Sequence, residues 1–235
     1  MLAVLHLTPP VLEAAEYYEN FASANGELDG RKTAEGFGDW VAESKFVVKD
    51  GSLVLSSSDP ESESAWFSLP PLEGKSLLRV TIRCHSRGSS DGAHLAFGFT
   101  PFKGLDQNIF NKAGALWVID RSDSYVLGYL TGPGAANQFV GEGWYADFYR
   151  DPNHPTEHSI EYNLKTGEVT ATVSNNGNTR TLVSNVPVNW AGNDGHPIPL
   201  DNLASFGVSF YKQTGLELGE AETASITEIA IELID

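Results

Sequence analysis

Two neighbouring alternating segments of the chain hold side chains that are suited to chemistry. Arg83 and His85 lie on the segment Ser76 to Ser86, and His94 lies on the next one, Ala93 to Pro101. Alternate residues of a strand share a face, so Arg83 and His85 point to the same side of their strand. If the two strands are neighbours in a sheet, the three side chains form one patch across them.

Tyr211 occupies the matching face of a later alternating segment, Ser205 to Lys212. Arginine binds a carboxylate through paired N–H groups, and histidine or tyrosine can serve as acid or base. A group of this composition therefore suits a sugar that carries a carboxylate. Small residues on these faces, namely Ala96, Gly98, Gly207 and Ser209, would leave room for it. The alternative is a solvated sheet face on which Arg79 and Arg83 pair with nearby acidic residues.

An aromatic-rich stretch from Gly141 to Pro155 is a second candidate for ligand contact. It includes Trp144, Tyr145 and Tyr149 among acidic, amide and histidine side chains, and it does not alternate like a core strand. Aromatic rings bind the faces of sugars, and polar neighbours bind their hydroxyl groups. The alternative is that about half of these rings fill the edge of the core, and the same alternatives apply to Trp117.

Cysteine and histidine spacing indicates no strong metal motif. His154 and His158 are four residues apart, but Pro155 lies between them and the context is not helical, so we interpret both as loop residues. Cys84 alternates with core positions and is predicted to be a small buried residue. A single cysteine excludes a disulfide within the chain and a cluster of several thiolates.

Composition excludes several classes of protein. Acidic residues outnumber Lys and Arg 31 to 15, giving a formal net charge of −16, so nucleic acid is not an expected partner. Hydrophobic residues make up 41% of the chain and aromatic residues 11%, which is enough to fill a core. No stretch approaches the roughly 18 apolar residues that a membrane-spanning helix needs.

The elements that must position these side chains are strands. Period-two alternation broken by turns dominates the sequence. Two short strands flank an Asp50-Gly51 turn, and the segment His158 to Ser184 predicts a three-stranded meander with a turn at Asn176-Gly177. Ten or more short antiparallel strands, without an internal repeat, predict an all-β fold, an antiparallel jelly-roll β-sandwich.

The domain organisation is expected to be simple. Residues 1–15 are small and apolar and hold neither Lys nor Arg, which fits either the remnant of a signal peptide or an N-terminal strand. Residues 16–235 are expected to form one β-sandwich domain. The acidic, nearly cysteine-free composition favours a secreted or cell-surface bacterial protein, with the cytoplasm as the alternative.

The order of strands resembles a known superfamily. The segments Glu19 to Ser57 and Glu157 to Gly177, and the closing SITEIAIELID, resemble those of concanavalin A-like lectin/glucanase domains, including laminin-G-like members. The resemblance implies a jelly-roll sandwich with a concave face that binds a saccharide. It also implies a structural Ca²⁺ between the first and last strands, with Glu19 and Glu228 as candidate ligands. It implies no particular reaction.

The sequence therefore predicts a domain that binds an oligosaccharide or polysaccharide without modifying it. The candidate ligand-binding residues are Arg83, His85, His94, Trp117, Trp144, Tyr145, Tyr149 and Tyr211. The first alternative is a polysaccharide lyase acting on a uronate polymer, with Arg83 neutralising a carboxylate and His94 and Tyr211 as base and acid. The Glu-x-Asp-x-x-Glu pattern that glycosidases of this fold carry is absent from the sequence. The second alternative is a structural or adhesive domain without a small ligand.

Overall fold

A computed structural model of the chain describes residues 15–22, 25–34, 36–43, 45–55, 62–85, 93–101, 109, 115–121, 124–130, 137–144, 151, 153–188, 203–212 and 224–235. These residues form sixteen β-strands and no α-helix. The strands are β1 (Ala15–Glu19), β2 (Gly26–Glu27), β3 (Val41–Ala42), β4 (Phe46–Lys49), β5 (Ser52–Leu55), β6 (Ser62–Ser68), β7 (Leu77–His85), β8 (Ala93–Thr100), β9 (Leu116–Asp120), β10 (Ser124–Leu130), β11 (Asn137–Trp144), β12 (Thr156–Asn163), β13 (Glu168–Asn175), β14 (Asn178–Pro187), β15 (Ser205–Lys212) and β16 (Ser225–Ile234).

The strands make two antiparallel sheets. One has nine strands in the order β14-β13-β12-β7-β16-β5-β4-β2, with β1 also pairing with β16. The other has seven strands in the order β11-β10-β9-β8-β15-β6-β3. We call the side of each sheet that faces the other sheet its inner face, and the opposite side its outer face.

The inner faces meet in one hydrophobic core. As the alternation predicts, Leu78, Val80, Ile82 and Cys84 of β7 are fully buried on the inner face of the nine-stranded sheet. The seven-stranded sheet contributes an aromatic-rich set to the same core, namely Phe67, Leu95, Phe97, Phe99, Phe206, Val208 and Phe210. The long strands β7, β12 and β13 bury alternate residues against the other sheet, and the predicted jelly-roll sandwich is confirmed.

Tight turns fix the register of two hairpins. Asp50 and Gly51 have φ of 51° and 76°, and Asn176 and Gly177 have φ of 47° and 82°. Positive φ at both central residues is typical of the type I′ turn, whose twist matches that of paired strands. Both predicted turns are therefore confirmed, as is the meander of β12, β13 and β14.

One expected strand pairing, that of β7 with β8, is wrong. β7 and β8 do not pair, because β7 lies in the nine-stranded sheet and β8 in the seven-stranded sheet. Seven residues separate His85 from Ala93, and a chain that spans up to about 3.5 Å per residue crosses a sandwich about 10 Å thick with ease. The alternation of a strand reveals its faces but not the sheet in which it lies.

The beginning of the chain lies outside this description. Residues 1–14 are not among the described residues, so both alternatives for residues 1–15, and the single domain over 16–235, stay predictions. Within the residues that the structure describes, no helix is long and apolar enough to span a membrane.

Candidate functional site

The outer face of the nine-stranded sheet carries paired charges. Arg83 Nε and Nη1 lie 2.8 and 3.0 Å from carboxylate oxygens of Glu157 and Glu228. Arg79 lies in the same way between Glu161 and Glu232, at 2.9 and 2.8 Å. The hydrogen bond that Arg83 Nε donates to Glu157 Oε2 is the main cause of the raised pKa of Arg83. Each arginine is thus held by acidic residues of the two flanking strands, as the alternative interpretation of this face expected.

The predicted group of Arg83, His94 and Tyr211 is not assembled. Arg83 and His85 share the outer face of the nine-stranded sheet, where His85 lies opposite Ser225 of β16. His94 and Tyr211 belong to β8 and β15 of the other sheet. The lyase geometry, with Arg83 neutralising a carboxylate beside His94 and Tyr211, is therefore not present.

His94 and Tyr211 do lie together. They are opposite each other in the pairing of β8 with β15. Their rings stack with centroids 4.7 Å apart and an interplanar angle of 28°. His94 is 8% exposed and Tyr211 is half-buried. The stack forms on the outer face, because the residues next to each of them in sequence, Leu95 and Phe210, belong to the core.

Arg121 completes this group, and sequence reasoning missed it. Leu95 of β8 pairs with Asp120 of β9, so the next position along each strand sets His94 opposite Arg121. The positive charge of the half-buried Arg121 acts on His94. The alternation of β9, continued by one residue, puts Arg121 on the same face as Ile119. That pattern is visible in the sequence, but the partner of β9 is not.

The environment of His94 keeps its imidazole neutral. Burial, and secondarily the charge of Arg121, lowers the pKa of His94 to about 3. A neutral imidazole donates one hydrogen bond and accepts another, which suits a sugar hydroxyl. With a pKa this far below neutrality, His94 is a poor general base for removing a proton from a substrate.

The lowered pKa of His94 gives a stability prediction. An unfolded histidine takes up a proton near pH 6.5, whereas folded His94 stays neutral down to about pH 3. The unfolded state therefore binds more protons in this window, and His94 makes stability fall as pH drops through it, by up to about 1.4 kcal/mol per pH unit. Urea unfolding should show a shallower pH dependence for His94→Gln than for the unchanged chain. Parallel dependences for the two proteins would contradict the prediction.

Backbone register brings Trp144 to the same end of the sheet. Ser124 of β10 pairs with Trp144 of β11, and Tyr125 pairs with Asp120 of β9. Trp144 thus ends its strand level with Arg121, two strands away. It is a strand residue, although the stretch that contains it does not alternate like a core strand. Tyr145 and Tyr149 lie outside the described residues.

The middle of the outer face of the seven-stranded sheet is covered by other residues of the chain. The backbone N–H of Ile109 donates to Ser209 Oγ at 3.0 Å, and Ile109 packs with Ala96, Trp117 and Ile119 in a second, smaller core cluster. Trp117 is 0% exposed, which favours its interpretation as a core residue. The room expected above Ala96 and Ser209 is therefore filled by Ile109, and the candidate site is limited to the end of the sheet at His94.

Glu19 and Glu228 do not form a joint calcium site. In the pairing of β1 with β16, Glu19 lies opposite Ile229, a core residue, so its register position belongs to the inner face. Glu228 is the next residue in sequence, and its carboxylate pairs with Arg83 on the outer face. Glu19 Oε1 accepts a hydrogen bond from the N–H of Phe21 at 2.6 Å. Ca²⁺ needs several oxygen ligands converging on one point, which these two carboxylates do not provide.

The chain is similar to known proteins in structure but not in sequence. No protein-family model matches the sequence, and no curated protein matches it significantly. Solved structures do match. The carbohydrate recognition domain of Emp47p is 13% identical with a TM-score of 0.56, over 97% of this chain and 100% of that one.

Two further solved structures extend this similarity. Arcelin-5, a lectin-like defence protein from Phaseolus vulgaris, is 10% identical with a TM-score of 0.57, over 94% of this chain and 98% of that one. The exoplasmic/lumenal domain of VIP36, in a form bound to Ca²⁺ and Man3GlcNAc, is 12% identical with a TM-score of 0.53, over 82% of each chain. Identities this low concern the fold, and the activity has to be argued from the residues.

Proposed function

We propose, from the premise that the chain has the concanavalin A-like lectin fold, that it is a carbohydrate-binding domain. Its site is the end of the seven-stranded sheet marked by Tyr211, His94 and Arg121. The ligand is an oligosaccharide or polysaccharide, which the domain binds without modifying.

The observation that carries the proposal is the row of these three side chains on one face. The half-buried ring of Tyr211 stacks on His94 and is held in one orientation. An aromatic ring fixed in this way offers an apolar surface to a sugar ring and a hydroxyl group at its edge. Arg121 adds several N–H donors in a planar fork, which bind vicinal hydroxyl groups or a carboxylate.

The chemistry of the row favours binding over reaction. His94 is neutral and, with its pKa lowered to about 3, is a weaker base than an ordinary histidine. Trp144, which belongs to the aromatic stretch that the sequence singled out, pairs through its backbone with Ser124, at the level of Arg121. The solved VIP36 domain that binds Man3GlcNAc is described as exoplasmic/lumenal, and the proposal likewise places this domain in a secreted or cell-surface protein.

Retention on immobilised polysaccharides tests the proposal. The panel holds neutral and uronate polymers, and the protein should be retained on at least one of them. Tyr211→Ala and Arg121→Ala should each weaken retention about tenfold, which corresponds to losing about 1.4 kcal/mol of contact. If Arg121 binds a carboxylate, the protein is retained best on uronate polymers, and Arg121→Ala removes that preference.

Arg83→Ala is the matched control, because it removes the same charge from the opposite sheet. It should leave retention unchanged. Loss of retention in Arg83→Ala, or normal retention in Arg121→Ala and Tyr211→Ala together, would place the site elsewhere. Unsaturated uronate product in the same samples would show that the protein is a lyase and not a pure binder.

A further inference from the structure

Three side chains of different chemistry meet between the sheets, on the face of β9 opposite to the proposed sugar site. Cys84 of β7 and His158 of β12 come from the nine-stranded sheet, and Asp120 comes from the end of β9 in the other sheet. All three are buried, with exposures of 0, 2 and 0%. His158 is therefore a core strand residue, and its interpretation as a loop residue is wrong.

The three groups converge closely on one point. Cys84 Sγ lies 3.4 Å and His158 Nε2 lies 3.5 Å from the same oxygen, Asp120 Oδ2. The sulfur, the nitrogen and a carboxylate oxygen all lie within 4.8 Å of one another. A tetrahedral Zn²⁺ with bonds of 2.0 to 2.3 Å holds its ligand atoms about 3.3 to 3.5 Å apart. The two separations from Asp120 Oδ2 match those of such a coordination shell, and the separation of the sulfur from the nitrogen is at most 4.8 Å.

We propose that Cys84, Asp120 and His158 form a buried site for one Zn²⁺-like transition-metal ion that joins the two sheets. Charge supports this assignment, because a thiolate and a carboxylate together balance a divalent cation. The bound site is then neutral overall, which is what a dry interior tolerates. The donor set of sulfur, imidazole and a single carboxylate favours Zn²⁺ over Ca²⁺, which prefers six to eight oxygens.

Thr156 provides an independent observation at the same place. It lies directly opposite Cys84 in the pairing of β12 with β7, two residues from His158, and is 0% exposed. Its Oγ1 has no hydrogen-bond partner within the described part of the chain. Buried hydroxyl groups are normally bonded. A water on the fourth position of the ion would supply the missing partner.

Cobalt substitution tests this site, since Co²⁺ takes the same tetrahedral geometry and is coloured. The full chain is stripped with a chelator, unfolded, and refolded with or without one equivalent of Co²⁺, so that the buried site is accessible during loading. One ion per chain should bind. The bound Co²⁺ should show thiolate-to-cobalt charge-transfer absorption in the near ultraviolet, and this band should disappear when Zn²⁺ is added. Binding should also raise the melting temperature of the protein. A refolded chain with no charge-transfer band and an unchanged melting temperature overturns the proposal.

Two variants separate this site from adventitious binding. Cys84→Ser should abolish the charge-transfer band and weaken Co²⁺ binding more than about tenfold. His154→Gln removes an exposed histidine that lies 2.8 Å from Asp151, and it should change neither. Loss of cobalt binding in His154→Gln would instead assign the ion to that surface pair. If Cys84→Ser does not fold, the band and the melting shift of the unchanged chain still decide the matter.

Discussion

Gly98→Ala is expected to destabilise the fold severely, by about 4 kcal/mol or more. A Cβ atom on Gly98 would lie 2.0 Å from the carbonyl oxygen of Leu116 and 2.8 Å from Cα of Trp117. Both contacts are with the backbone of β9, so no side-chain rotation relieves them. The pairing of β8 with β9 would have to open, and this pairing positions His94 beside Arg121. Urea unfolding should show the loss as a lower midpoint.

Gly177→Ala separates steric contact from backbone conformation. Gly98 and Gly177 both have a positive φ, +155° and +82°, but nothing lies within 4 Å of the position that a Cβ on Gly177 would take. The substitution should therefore cost only the left-handed conformation, about 1 kcal/mol. Equal losses for the two variants would mean that the close approach of β9 to Gly98 is relieved at little cost. A normal midpoint for Gly98→Ala would contradict the prediction outright.

Local pattern is sufficient to predict much of this fold. Alternation correctly places Cys84 on the inner face of β7 and Arg83 on its outer face, because side-chain direction depends only on the parity of the position. Asp50-Gly51 and Asn176-Gly177 indicate their hairpins because few residues other than Gly, Asn and Asp readily take positive φ. β11 was missed, since its glycines break the apolar alternation. One of them, Gly141, lies against Val183 of β14, where a Cβ would be only 2.7 Å away.

The candidate site was only partly predictable for a different reason. His94 and Tyr211 were predicted to share a patch, and the structure brings them together. Arg83 was expected beside them but lies in the other sheet, and Arg83 and Arg121 are equally plausible neighbours until the sheet order is known. Sheet order follows from long-range packing of whole strands, which no local spacing encodes. The same limit hid the approach of His158 to Asp120.

Asn175→Ala is expected to loosen the last residues of the aromatic-rich stretch, around Asp151, His154 and Pro155. The side chain of Asn175 is 2% exposed. Its Oδ1 accepts from the N–H of Asp151 at 2.6 Å, and Nδ2 lies 3.3, 3.0 and 3.2 Å from the carbonyl oxygens of Asp151, His154 and Pro155. Removing the amide leaves several backbone groups without partners, at a cost of about 2 to 4 kcal/mol. Urea unfolding measures this cost, and retention on polysaccharide should fall if the aromatic stretch contacts the ligand.

Two further variants, Asn153→Ala and Asn175→Asp, show which atoms of the Asn175 amide contribute to stability. Asn153→Ala, in the same segment, removes only an exposed hydrogen bond to Asp151 and should shift stability by no more than about 0.5 kcal/mol. Asn175→Asp keeps an acceptor for the N–H of Asp151 but turns a second oxygen toward three carbonyl oxygens. It should therefore be no more stable than Asn175→Ala at neutral pH. Near-normal stability of Asn175→Asp would mean that the Asp151 contact alone anchors the segment, and that the three carbonyl contacts contribute little.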